Sequence, residues 1–188
     1  MNAYLMVWKF LKESKNYFFA VILIFAAAIL IGFIFPVFFI DFIKKFIEDT
    51  ANKTAGMGYW QLFIFIFGNN LQAAFIGMMF GIALGIFPLV LAVFNGYVIG
   101  FVMNKAVSLG GAGVLWRLLP HGIFEIPALI ISFGLGLRLG MFIFKKKGRR
   151  KKEFFYSFNN SIKVFIYLVI PLLLIAALIE SWLVLVLK

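Results

Sequence analysis

The string LPHGIFEIP, Leu119 to Pro127, sets the single histidine of the chain, His121, one helical turn before Glu125 at the head of a long apolar stretch. A histidine and a carboxylate on one helix face can form a hydrogen-bonded clasp, half of a metal site, or a step in a path for protons or ions. Glu125 stands near the expected helix N-terminus, where free amides and the macrodipole favour negative charge. Pro127 withholds a hydrogen bond from the carbonyl of Ile123 and leaves an acceptor for a side chain, water or ion. A catalytic zinc normally wants three protein ligands, and no second histidine exists. A metal here would rest on His121 and Glu125 alone, so no metal is assigned.

Other polar groups lie in apolar surroundings. Asn69 and Asn70, Asn95, Arg138 and Glu180 are each flanked by residues suited to a membrane interior. Depth counting puts His121, Glu125, Asn70 and Glu180 toward one side of the membrane. Asn95 lies deeper, placed to bridge helices through its amide, and Arg138 deeper still, its stem able to snorkel to the opposite surface. Together His121, Glu125, Asn70, Asn95, Arg138 and Glu180 form the candidate functional polar cluster. No residue is assigned as catalytic and no cofactor is expected. The chain has no cysteine, no phosphate loop, no dinucleotide fingerprint and no HExxH pair, and GLGLRLG lies within an apolar span.

The elements that hold these groups follow from composition. Of 188 residues 64% are hydrophobic, 26 are phenylalanine, and the mean hydropathy is +1.07. A soluble domain of this size has too little interior to hide that much apolar side chain, so the chain is expected to be all-α and polytopic in a cell membrane. The net charge of +11 is no nucleic-acid signature. Seven of the 18 basic residues lie in one run, Lys145 to Lys152, directly after an apolar segment, which points to anionic lipid headgroups. The run Tyr17 to Phe35 is longer than a signal-peptide core and FPVFFIDF offers no cleavage site, so it reads as a retained helix.

A span needs about 20 apolar residues. Five are expected in a single transmembrane domain over 1–188, at 17–39, 60–86, 89–107, 120–144 and 162–187. The break between the second and third falls at GIFP, Gly85 to Pro88, and FGNNLQ, Phe67 to Gln72, is a candidate division within the second. The apolar positions between Phe39 and Ile47 recur at helical spacing beside three lysines and three acids, predicting an amphipathic helix at the membrane surface. SLGGAG reads as a loop, and Pro120 suits the first turn of the fourth span. With the N-terminus cytoplasmic and the C-terminus outside, twelve of the 18 basic residues fall on the inner side, the arrangement the positive-inside rule favours. Gly77, Gly81 and Gly85, then Gly96 and Gly100, then Gly136 and Gly140, recur every four residues as GxxxG stripes that let helix backbones approach, within the bundle or in a homo-oligomer.

These residues also carry a resemblance. FGNNLQAAFIGMMFGIALGIFPLVLAVFNGYVIG, Phe67 to Gly100, followed by LLPHGIFEIPALIISFGLGLRLG, Leu118 to Gly140, resembles the stage II sporulation protein M family of multi-span membrane proteins. The family's motif residues carry over onto Asn70, Asn95, Gly96, Pro120, His121, Gly122, Glu125, Pro127 and Arg138. The sporulation member acts in a membrane-anchored complex with cell-wall hydrolases, and many relatives have no assigned activity. The resemblance implies a component or scaffold of a membrane complex, more an assembly protein than an enzyme, with itself or other membrane proteins as partners. A small transporter, channel or lipid-handling protein is the second reading, and an intramembrane metal-dependent hydrolase the third.

Overall fold

The computed structural model describes residues 3–117 and 119–186. It is built from helices joined by short turns: α1 (Ala3–Glu13), α2 (Lys15–Ile34), α3 (Ile40–Thr54), α4 (Tyr59–Met79), α5 (Ile86–Gly110), α6 (Leu119–Gly140), α7 (Arg150–Val164) and α8 (Ile170–Val186). No strand occurs among the described residues. Five helical segments are long and apolar enough to cross a membrane: Lys15–Ile34, Tyr59–Ile82, Ile86–Gly110, Gly122–Phe144 and Lys147–Val186.

The ends of these helices have local causes. α2 stops at Ile34, short of the expected Phe39, because Pro36 disfavours helix in the residue before it. Phe39 then takes a left-handed conformation (φ 56°) and starts α3, the amphipathic helix expected from the sequence. α4 continues through FGNNLQ without a division; asparagine and glycine weaken a helix by less than the surrounding run of good formers supports it. Leu84 and Gly85, both left-handed, reverse the chain before α5, one turn earlier than Pro88. A side chain at Gly85 would also press on Leu137 of α6. α5 runs on to Gly110, so Ser108 to Gly110 are helical rather than loop, and left-handed Gly111 (φ 74°) ends it.

The expected fifth span, 162–187, is the end of a longer helix, which runs from Lys147 to Val186, 40 residues or roughly 60 Å, about twice the hydrocarbon thickness. That is more than one crossing needs, and most of the basic run forms the start of this helix. Between α7 and α8 lies one π-helical turn, Phe165–Val169, in which the Ile170 amide bonds back to the Phe165 carbonyl. Pro171 follows, and its missing amide proton explains why the ladder shifts register there.

Two parallel helix pairs form the bundle. In the larger interface, α2 and α5, Gly96 lies against Phe25 and Ala28, Gly100 against Ile29, and Gly32 against Tyr97. In the second, α4 and α6, Gly81 meets the backbone of Gly136, and Gly140 meets Gly81 and Gly85, while Gly77 holds the ring of Phe133. Added methyl groups would collide with backbone in both seams. Bare glycine matters here because apolar surroundings supply no hydrophobic drive between helices, so close van der Waals packing must hold them. α6 runs antiparallel to α2, with Phe18 against Gly134, and α8 packs on both α4 and α6. The core between them centres on Val21, Phe25, Met78, Phe133, Leu135 and Leu173.

Candidate functional site

Polar groups gather at opposite ends of α6. At the end where α6 begins, Glu125 is half-buried one turn into the described part of the helix, just before Pro127. Packing of α6 against α8 brings Glu180 within electrostatic reach of Glu125. The Tyr59 hydroxyl at the start of α4 donates to the Leu178 carbonyl at 3.3 Å, so α4 closes on α8 at the same level. Ser181, next to Glu180, is fully buried and spends its hydroxyl on the Ala177 carbonyl of its own helix at 2.6 Å. No ion pair engages either carboxyl among the described residues. Two nearby carboxyls in surroundings of low dielectric repel when both are ionised, and a proton, a cation or an amide donor relieves that repulsion. His121 belongs to α6, but its side chain lies outside the described residues, as do those of Trp116, Arg117 and Pro120. The expected His121–Glu125 contact therefore lies outside them too. Among the described residues no three acidic or histidine side chains converge as metal ligands.

Arg138, grouped with Glu125 from the sequence, belongs instead to the far end, 13 residues or about 20 Å along the helix. Only 7% exposed, it reaches α1: its guanidinium donates to the Ser14 hydroxyl at 2.6 Å, to the Phe10 carbonyl at 3.2 Å and to the Glu13 carboxylate at 3.3 Å. The Phe10 ring lies 3.9 Å beneath it, and Tyr156 of α7 donates its hydroxyl to the same Glu13 oxygen at 3.0 Å. Ser14 bonds onward to the Phe10 carbonyl at 2.6 Å. One guanidinium thus ties three helices through its planar fork and its ring face, which a lysine could not do. Glu13 is an acid just before the first span, and a buried arginine needs a carboxylate; that signal was present in the sequence.

The remaining polar residues divide in the same manner. Asn95 donates to the Leu91 carbonyl of its own helix at 2.8 Å and makes no bridge to another helix among the described residues. The bridges from α5 come from residues the sequence did not single out. The Tyr97 hydroxyl accepts from the Phe38 amide and donates to the Phe35 carbonyl, both at 2.9 Å, and Asn104 donates to the Phe33 carbonyl at 2.9 Å. Pro36 had stranded these backbone groups at the end of α2, and α5 satisfies them. Asn70 is half-buried on α4, whereas Asn69 is exposed. Gly122 and Pro127 lie on α6 as the motif requires, Pro127 inside the helix and exposed.

Over 120 residues the chain is 33% identical to uncharacterized protein MJ0706 of Methanocaldococcus jannaschii, covering 62% of this chain and 52% of that one. Over 160 residues it is 29% identical to uncharacterized protein MJ0793 of the same organism, covering 81% of this chain and 86% of the relative. The chain thus spans about half the length of the first and most of the second. No solved structure matches. The family model described as Stage II sporulation protein M matches residues 20–184, from within α2 to the end of α8. With a match over most of its length, this chain belongs to the stage II sporulation protein M family.

Proposed function

We propose that the chain is a non-enzymatic component of a membrane complex, with its N-terminus cytoplasmic and its C-terminus outside. The observation that carries this reading is the pair of glycine seams, in which α2 meets α5 and α4 meets α6 backbone to backbone. Such seams make a stiff, dry bundle suited to presenting surfaces to partners. In this orientation the Arg138 clasp and the basic run Lys145 to Lys152 lie on the cytoplasmic side against anionic headgroups, and Glu125 and Glu180 lie in the outer half. Chemical cross-linking in native membranes followed by mass spectrometry tests the reading. Adducts to one or a few other membrane or envelope proteins are expected; recovery of the chain with no such adduct would remove it.

The second reading is an ion or proton site, favoured by one observation: packing of α6 on α8 brings Glu125 and Glu180 within electrostatic reach of each other. Proteoliposomes holding the purified chain would then pass protons or cations down an imposed gradient. Flux abolished by Glu125→Gln supports transport, and tight vesicles argue for the assembly role.

A further inference from the structure

One face of α4 is not covered by the chain. Ile64 (67% exposed), Gly68, Gln72 and Phe75 (45% exposed) follow at spacings of four, four and three, which is one continuous helix face, and exposed Asn69 flanks it. The middle of this face is polar. Gln72 is 13 residues, about 20 Å, into a segment long enough to cross a membrane, and Asn69 is one turn before it. Neither amide has a hydrogen-bond partner among the described residues, and Asn69 and Gln72 point away from the bundle. In water this would be unremarkable. In hydrocarbon an unpaired amide is strongly disfavoured, and the apolar neighbours Ile64 and Phe75 mark this face as the lipid-side surface of the span. Gly68, next to Asn69 and one turn before Gln72, has open space where a side chain would be, unlike the seam glycines, whose space a neighbour already fills.

We propose that this face joins two copies of the chain, crossing at Gly68, with Asn69 and Gln72 of each copy hydrogen-bonding to those of the other. A carboxamide is donor and acceptor at once, so the face is complementary to itself. Two copies inserted with one topology are related by a two-fold axis along the membrane normal, which brings the same residue of each to the same depth. The exposed glycine lets the two backbones come close enough for short amide side chains to meet. This names a partner for the membrane component proposed above and rests on that reading only in placing α4 across the bilayer.

The chain has no cysteine, which makes the test clean. Gly68→Cys fits the open space, and Val90→Cys, 55% exposed on α5, serves as an off-face control. Each is oxidised in native membranes and, after purification, in proteoliposomes of neutral phospholipid. Position 68 should yield a covalent dimer in both settings, several-fold more than position 90. Adding Asn69→Leu and Gln72→Leu to Gly68→Cys should lower the dimer yield several-fold while the thermal unfolding of the chain is retained. Equal cross-linking at positions 68 and 90, or an unchanged yield in the leucine variant, would overturn the proposal. So would a Gly68 adduct to a different protein in native membranes with no dimer from the purified chain. The complex-component reading is judged separately by adducts to other proteins, which can be lost while the Gly68 dimer persists.

Discussion

The two ends of α6 solve the problem of polar groups in apolar surroundings in opposite ways. At one end Arg138 is surrounded: carboxylate, hydroxyl, carbonyl and aromatic ring all converge on it from α1 and α7. At the other, Glu125 and Glu180 lie within electrostatic reach of each other with no cation engaging them among the described residues. A fully satisfied charge fixes helices in place and is a structural device; two acids within electrostatic reach and without a cation repel when both are ionised, and a proton or cation relieves that repulsion. The lesson is that the burial of an ionisable group says little about its role until its partners are counted. By that measure the arginine is a structural clasp, whereas the two acids stand without a cation partner among the described residues.

The strongest perturbation acts on what lies between the two ends. Gly81→Leu drives a branched side chain into the Gly136 backbone, and a loss of roughly 3 kcal/mol is expected from overpacking that backbone cannot yield to. Thermal unfolding in mild detergent should fall sharply, whereas an unchanged transition would mean the seam is loose. Arg138→Met keeps the apolar stem and removes the charge. It should cost roughly 2–3 kcal/mol, below the range for a wholly buried pair because the Glu13 side chain is 36% exposed. Arg138→Lys should recover only part of it, since one ammonium cannot replace the fork. Full recovery by lysine would reduce the clasp to a simple charge effect.

Tyr156→Phe sharpens the comparison further. It deletes the hydroxyl on Glu13 but keeps the ring, and about 1 kcal/mol should be lost. The smallest stability effect is expected at the acidic end. Glu125→Gln combined with Glu180→Gln removes like-charge repulsion without changing shape, so unfolding should stay within about 0.5 kcal/mol of the parent or rise. A loss as large as that of Arg138→Met would erase the distinction and make both ends structural.

How far each feature could be read from the sequence depends on how local its cause is. The break at Pro36, the amphipathic α3 and the reversal near Gly85 were legible because proline, glycine and hydrophobic period act within a few residues. The length of the last helix was not. The basic run suggests an end to a span, yet lysine and arginine are good helix formers, and the helix simply continues out of the apolar layer. Asn95 looked like a bridge because an amide in a span wants a partner, and it found one on its own helix. Tyr97 and Asn104 were overlooked because nothing local marks them; they matter only because the end of α2 stands opposite.

The sequence by itself determined that the chain is built of helices of membrane-crossing length, where proline and glycine break them near Pro36 and Gly85, and which glycines could serve as contact surfaces. These rest on composition and on periods of three to four residues, which every stretch of chain carries within itself. Only the tertiary structure decided that Gly81 meets Gly136 and Gly96 meets Phe25, that Arg138 pairs with Glu13, 125 residues away, and that Glu125 and Glu180 come within electrostatic reach. Partner choice among several helices of similar apolar character depends on which backbones can come closest and which polar groups are then left to be satisfied. Those conditions exist only once all the helices are in place.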